Sequence, residues 1–366
     1  MISIYEKYAK LLTEYCLGVG KGDRVYISST YLAEPLLQEL IKEISSAGGH
    51  AVMNVGIQDQ EMIKMDNSTI EQLSFVNPLV QNVFEEFECY LALRAPFNLR
   101  DTNSVDPEKR KAAQAAMRPS MEKYFARTAS GDMRRSLCQF PTQASAQEAG
   151  MSLKEYEKFV FQSCYLFEDD PIKAWQSVHD YQQVIVDHLN GKKDVHYKGP
   201  NIDIRFKTEG RTWINSDGKS NMPSGEVFTA PIEDSVNGHV KFSYPSIYNG
   251  KSVEGVELEV KDGEVTNYKA DKGMDLLDTI FSIPGARRFG EAAVGTNMNI
   301  QKMTNNILFD EKIGGTIHMA IGQSYGQCGG KNKSSVHWDM ITDMKDGGEI
   351  FVDGEKVYQN GKFIID

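Results

Sequence analysis

The chain has 366 residues, with 51 acidic side chains against 40 Lys and Arg and a formal net charge of −11. That balance excludes a nucleic-acid surface, which needs clustered cations to meet phosphates, and no stretch reaches the ~20 continuous apolar residues of a membrane-spanning helix. The N-terminal stretch lacks the basic start, apolar run and small-residue cleavage site of a secretory leader, so a cytoplasmic protein with no membrane partner is expected.

The length exceeds one typical domain and predicts two. Cys16, Cys89, Cys138, Cys164 and Cys328 are odd in number and show no CxxC spacing. They are expected as reduced, packed thiols rather than disulfides or a zinc knuckle.

In the first hundred residues helix and strand patterns alternate. Ile4, Tyr5, Tyr8, Leu11, Leu12 and Tyr15 recur at helical spacing, and "DRVYIS" then alternates like a strand. A helix over "AEPLLQELIKEISSAGG" stops at Gly48 and Gly49, and "HAVMNV", "PLVQNVFEEF" and "CYLALRA" continue the succession as strand, helix, strand. A parallel sheet with crossover helices follows from this order. The glycines of "LGVGKG" precede a strand, whereas a dinucleotide fingerprint follows one, so they carry no nucleotide site.

Between Asn98 and Gly150 the chain turns polar, with a helix expected from Pro107 onward as an arm or interdomain insertion. Ser152 and Glu155 form a capping box, and a further helix over "DDPIKAWQSVHDYQQVIVDHLNG" carries His179 and His188 as surface or packing residues. From about residue 196 short alternating runs with DG and NG turns replace the helices. The expected organisation is an N-terminal α/β domain over 1–195 and a C-terminal β-rich α+β domain over 196–366.

The second half holds the chemistry. In "SSVHWDMI" a strand would place His337 and Asp339 on one face. His318 sits in the apolar "GGTIHMAIG", Glu226 opens a strand-like run after Gly225, and Glu291 follows Gly290 in a segment able to open a helix. Acids inside apolar runs need a compensating cation. Arg205, Arg211, Arg287 and Arg288 are one source of it, as a buried ion-pair network. Two divalent ions bridged by a carboxylate are the other.

"NMPSGEVFTAPIEDSVNG", "RRFGEAAVGTN", "GGTIHMAIGQSYG" and "SSVHWDMI", in this order, resemble the signature segments of the thermophilic aminopeptidase family, metallopeptidases of the aminopeptidase T and S type. "YAKLLTEYCLGVGKGDRVYI" and "QFPTQASAQEAGMSLKEYEKFVF" extend the similarity over most of the chain. The resemblance implies a homodimer that trims peptides with a free N-terminus. It implies two divalent ions per chain (zinc, cobalt, manganese or magnesium) held by Glu226, Glu291, His318, His337 and Asp339, with Tyr325 as active-site tyrosine. Glu291, or a neighbour such as Glu233 or Asp234, is the expected proton shuttle. The stretch between Tyr325 and His337 is shorter than in the family's longer members.

Two other readings use the same ligands. A phosphoesterase would need cations such as Lys331 and Lys333 at the metals. A non-catalytic oligomeric binding protein would hold a fully coordinated structural cation and bind its ligand at the carboxyl edge of the parallel sheet.

Overall fold

Strand β1 (Arg24–Thr30) lies between β2 (His50–Gly56) and β3 (Cys89–Arg94), and β3 pairs with β4 (Arg134–Gln139), all parallel. The computed structural model describes residues 2–248 and 250–365 and divides into two units. One takes the chain up to Ile172 together with Gly218–Met222; the other takes Lys173–Asp217 and everything from Pro223 onward.

The first unit is the expected α/β succession. Helix α1 (Ile4–Lys10) starts on the Ser3 side chain, which accepts the Glu6 amide. Helix α2 (Glu34–Ser46) buries Leu36, Leu37, Leu40 and Ile44, a spacing that puts all four on one stripe. Helix α3 (Pro78–Glu86) begins with proline at its first position under an Asn77 cap, and α4 (Pro107–Ser130) repeats that device with Asp106. The Ser152–Glu155 capping box opens α5 (Leu153–Ser163) as expected.

The second unit is built on antiparallel pairing. Helix α6 (Pro171–Leu189) enters it from Lys173 on. Strands β5 (Asp194–Gly199), β6 (Ile202–Lys207), β7 (Ile214–Ser216), β8 (Glu226–Thr229), β9 (Asn237–Lys241), β10 (Glu257–Lys261) and β11 (Glu264–Lys269) follow. After helix α7 (Met274–Phe281) come β12 (Phe289–Gly295), β13 (Thr316–Gly322) and β14 (His337–Asp343). Strands β15 (Glu349–Val352), β16 (Glu355–Gln359) and β17 (Lys362–Phe363) end the chain. They form an eight-stranded sheet, β11-β10-β9-β6-β5-β15-β16-β17, and a five-stranded one, β14-β13-β12-β8-β7.

One apolar cluster draws on both sheets. Tyr197, Ile204 and Phe206 come from the larger; Val227, Val294, Ile317, Met319, Trp338 and Met340 come from the smaller. Every second residue of the smaller sheet is thereby committed to the core, and its alternate residues form the other face. The five cysteines are all buried and unbridged.

Candidate metal centre

Cross-strand register assembles the site. On β13, Ala320 lies opposite Glu291 of β12 on one side and Asp339 of β14 on the other. His318, two residues back, shares that face with Ala293 of β12, and Gly322 lies opposite His337. On β8, Glu226 faces Gly295 and Phe228 faces Ala293. Four neighbouring strands therefore present Glu226, Glu291, His318, His337 and Asp339 on one face, with Ala293, Gly295, Ala320 and Gly322 as small residues between them.

Glu291 is in a strand, not at the opening of a helix. The reason lies in Gly290, where β12 bulges: Phe289 pairs with Ile321 and Glu291 with Ala320, leaving Gly290 unpaired. A side chain at Gly290 would collide with the Gln323 carbonyl. The bulge turns Glu291 onto the ligand face. Gly225, before Glu226, has φ 112°, and a Cβ there would lie 2.7 Å from that of Asn297. Each glycine-glutamate pair thus combines a close backbone approach with a candidate ligand carboxylate.

Glu291 presents its two oxygens to different imidazoles: Oε1 lies 3.7 Å from His318 Nε2 and Oε2 lies 3.2 Å from His337 Nε2. His318 Nε2 is 3.4 Å from Glu226 Oε2, and His337 Nε2 is 3.7 Å from Asp339 Oδ2. His337 Nδ1 donates to the Gln323 carbonyl at 2.8 Å, which directs Nε2 inward. Two triads, Glu226–Glu291–His318 and Glu291–His337–Asp339, each bring ligand atoms within 4.8 Å of one another. Tyr325 flanks them, its ring edge-on to His337 and to Phe228.

A family model described as thermophilic metalloprotease (M29) matches residues 3–363. The chain belongs to that family. Aminopeptidase 2 of Geobacillus stearothermophilus is 28% identical over 347 residues, which cover 87% of this chain and 83% of the relative. Aminopeptidase PepS of Streptococcus thermophilus is 28% identical with 98% of both chains covered. The wild-type AmpT structure from Thermus thermophilus shares the fold at a TM-score of 0.84 and 22% identity, covering 99% of each chain.

The metalloprotease's ligand face is short of positive charge. Burial pushes the Glu226 and Asp339 carboxyls above their ordinary range. Burial acts the same way on Glu291, but the His318 and His337 imidazoles outweigh it and hold this carboxyl at about 2. Burial lowers the imidazoles in turn, and the surrounding carboxylates lift His318 to about 9 and His337 to about 10. Glu226 Oε2, Asp339 Oδ1 and both ring nitrogens of His318 are buried with no hydrogen-bond partner among the described residues. Three carboxylates and two imidazoles, among them the unsatisfied atoms of Glu226, Asp339 and His318, suit divalent ions with mixed oxygen and nitrogen ligands.

Two charged residues of the centre have no counterpart in the sequence reading. Lys312 is 0% exposed, with Nζ 3.0 Å from Glu226 Oε1 and in contact with Glu311 Oε1. Glu311 joins His318 and Asp339 in a third triad. Their signal is a charged Asp-Glu-Lys run, Asp310 to Lys312, between the apolar "ILF" and the ligand strand.

The four arginines expected as counterions are elsewhere. Arg211 pairs with Glu233 and Arg288 with Glu264. Arg287 lies over Tyr268, and Arg205 is exposed on β6. The buried cation beside Glu226 and Glu311 is Lys312 instead. Glu233 is no candidate for proton transfer, because one oxygen accepts from Arg211 and the other from the Lys331 amide, and Asp234 is exposed. Lys331 and Lys333 are also exposed. His179 pairs with Asp217 and His188 with Glu355.

Proposed function

We infer that this centre cleaves the first peptide bond of substrates with a free amino terminus, using water activated between two divalent ions. The enzyme is a metalloaminopeptidase, a peptide-bond hydrolase, as its family and relatives indicate. The observation that carries the two-ion reading is Glu291, whose oxygens point to two separate imidazoles. On this reading Glu226 and His318 hold one ion, His337 and Asp339 hold the other, and Glu291 is shared. Zinc, cobalt, manganese and magnesium are the candidate ions. When bound, such a pair polarises the scissile carbonyl and lowers the pKa of water toward ~7.

The chain's own groups supply the rest. The Tyr325 hydroxyl donates to the oxyanion of the tetrahedral intermediate. Tyr325 is 40% exposed, which leaves the ring open to substrate. With both of its oxygens directed at the ion positions, Glu291 is a ligand on this reading and is not free to carry the water's proton to the departing amine nitrogen. The reading includes a homodimer acting in the cytoplasm, on the motif resemblance.

The test compares free and N-acetylated peptides, and phosphate esters beside them, with and without chelator. Cleavage confined to free peptides, abolished by chelator and restored by two divalent ions per chain, is the expected outcome. Equal cleavage of the acetylated peptide defeats the exopeptidase reading.

A further inference from the structure

The loop carrying Tyr325, residues 323–336 between β13 and β14, is tied to its surroundings at Asn332, at Cys328 and, through one carboxylate, at Lys331. Within the loop, the Cys328 and Gly330 amides donate to the Tyr325 carbonyl at 3.1 and 3.2 Å, and the Ser324 amide donates to the Asn332 carbonyl at 3.1 Å. Asn332 Nδ2 donates to the carbonyls of Gly285 and Gly322 at 2.8 and 2.6 Å. These bonds fix the loop's shape and its root.

Its far side depends on Glu233. Glu233 Oε1 accepts the Lys331 amide at 2.6 Å, and Oε2 accepts Arg211 Nη2 at 2.6 Å. The Arg211 side chain is only 6% exposed, and the Thr212 amide beside it donates to the Cys328 carbonyl at 3.1 Å. Arg288 Nη1 holds the Glu233 main-chain carbonyl at 2.8 Å. The loop segment between Cys328 and Lys331, hydrogen-bonded back to Tyr325, is therefore docked on a carboxylate fixed at both ends of its residue. Both side-chain oxygens are committed, so this acid is unsuited to carrying a proton.

We propose that Glu233, locked by Arg211, is a positioning residue that sets the placement of the Tyr325 hydroxyl through the Lys331 amide. The proposal rests on the role given to Tyr325 above. It matters for rate because a misplacement of about 1 Å in a reacting group costs about a hundredfold.

The decisive experiment is a double-mutant cycle in the metal-loaded enzyme, joined to hydrogen exchange of residues 323–336. Glu233→Ala lowers kcat about a hundredfold with KM moved far less. Tyr325→Phe lowers kcat by ~10²–10³. Glu233→Ala added to Tyr325→Phe costs nothing further, because the group being placed is already gone. Glu233→Gln has one acceptor for two donors and gives up the Arg211 bond when its oxygen stays on the Lys331 amide; it keeps more activity than the alanine variant with an unchanged pH profile, and serves as the folded reference should the alanine variant not fold. Loop amides exchange faster in Glu233→Ala, while metal content is unchanged.

Multiplicative losses in the cycle or unaltered loop exchange would each overturn the proposal. If Tyr325→Phe keeps full activity while loop exchange still responds to Glu233, the tether stands and the role assigned to the phenol falls.

Discussion

Ala320 lies directly between Glu291 and Asp339 on its two neighbouring strands, and its methyl group leaves the space that their carboxylates share. Ala320→Leu would thrust a branched chain into that space. Overpacking of this kind costs ~1–3 kcal/mol, which, taken from the binding energy, weakens metal binding about fivefold to a hundredfold at ~1.4 kcal/mol per decade. Titration calorimetry with zinc, beside circular dichroism to verify the fold, reads the effect. Lys312 makes the opposite point, since its ammonium is the one the buried acids use. Lys312→Met leaves Glu226 and Glu311 facing each other without it, and removing one partner of a buried pair costs about 3–5 kcal/mol. Urea unfolding of the metal-loaded protein should show a loss of that order; a loss below ~1 kcal/mol, as for an exposed pair, would deny Lys312 this role.

At the scale of elements, the parallel sheet, the hairpins and the capping box at Ser152 were all legible, because each rests on local periodicity or on residues three positions apart. His337 and Asp339 could be placed on one face by the same alternation. What escaped was set by partners distant in sequence. The bulge at Gly290 depends on the Gln323 carbonyl passing close by, so Glu291 read as helical until that neighbour was known. Arg24 and Glu88 show a long-range pair of another kind, joining the starts of β1 and β3 by hydrogen bonds of 2.8, 3.1 and 2.6 Å. The Arg24 guanidinium holds Glu88, against the opposing effect of burial, down from 4.5 to about 2. A depressed carboxyl stabilises the fold fully above its unfolded value and ceases to do so as pH falls through the folded one. The contribution is therefore present above about pH 4.5 and lost toward pH 2. It is small, since Glu88 remains 33% exposed. Arg24→Met should lower stability at neutral pH and flatten its decline between those two pH values, as measured by denaturant unfolding across the range.

Over the whole molecule, the change in sequence pattern near residue 196 marks where the antiparallel strands begin. The packing division comes one helix earlier, at Ile172, because α6 contributes Ile185, Val186 and Leu189 to the core of the second unit. All three tryptophans, Trp175, Trp213 and Trp338, belong to the unit with the metal centre, and four of the five cysteines, Cys16, Cys89, Cys138 and Cys164, belong to the other. A ligand that binds only the native state raises that state's stability by RT ln(1 + [L]/Kd), about 2.7 kcal/mol at a hundredfold excess over Kd. Chelation should therefore lower the midpoint of the tryptophan fluorescence transition by several degrees. Thermal exposure of the four thiols to a disulfide reagent, followed in a Cys328→Ser background, should shift less. Equal shifts in both signals would mean that the two units unfold together.

The placing of Glu226, Glu291, His318, His337 and Asp339 on neighbouring strands of one sheet also dictates where such a chain can gain or lose residues. Deleting a single residue within β13 would rotate His318 into the oily interior and bring Ile317 or Met319 to the carboxylates. Growth and shrinkage must then fall in the connections, and the run from Tyr325 to His337 is one of these: residues can be added or lost there while the ladder beneath keeps its count.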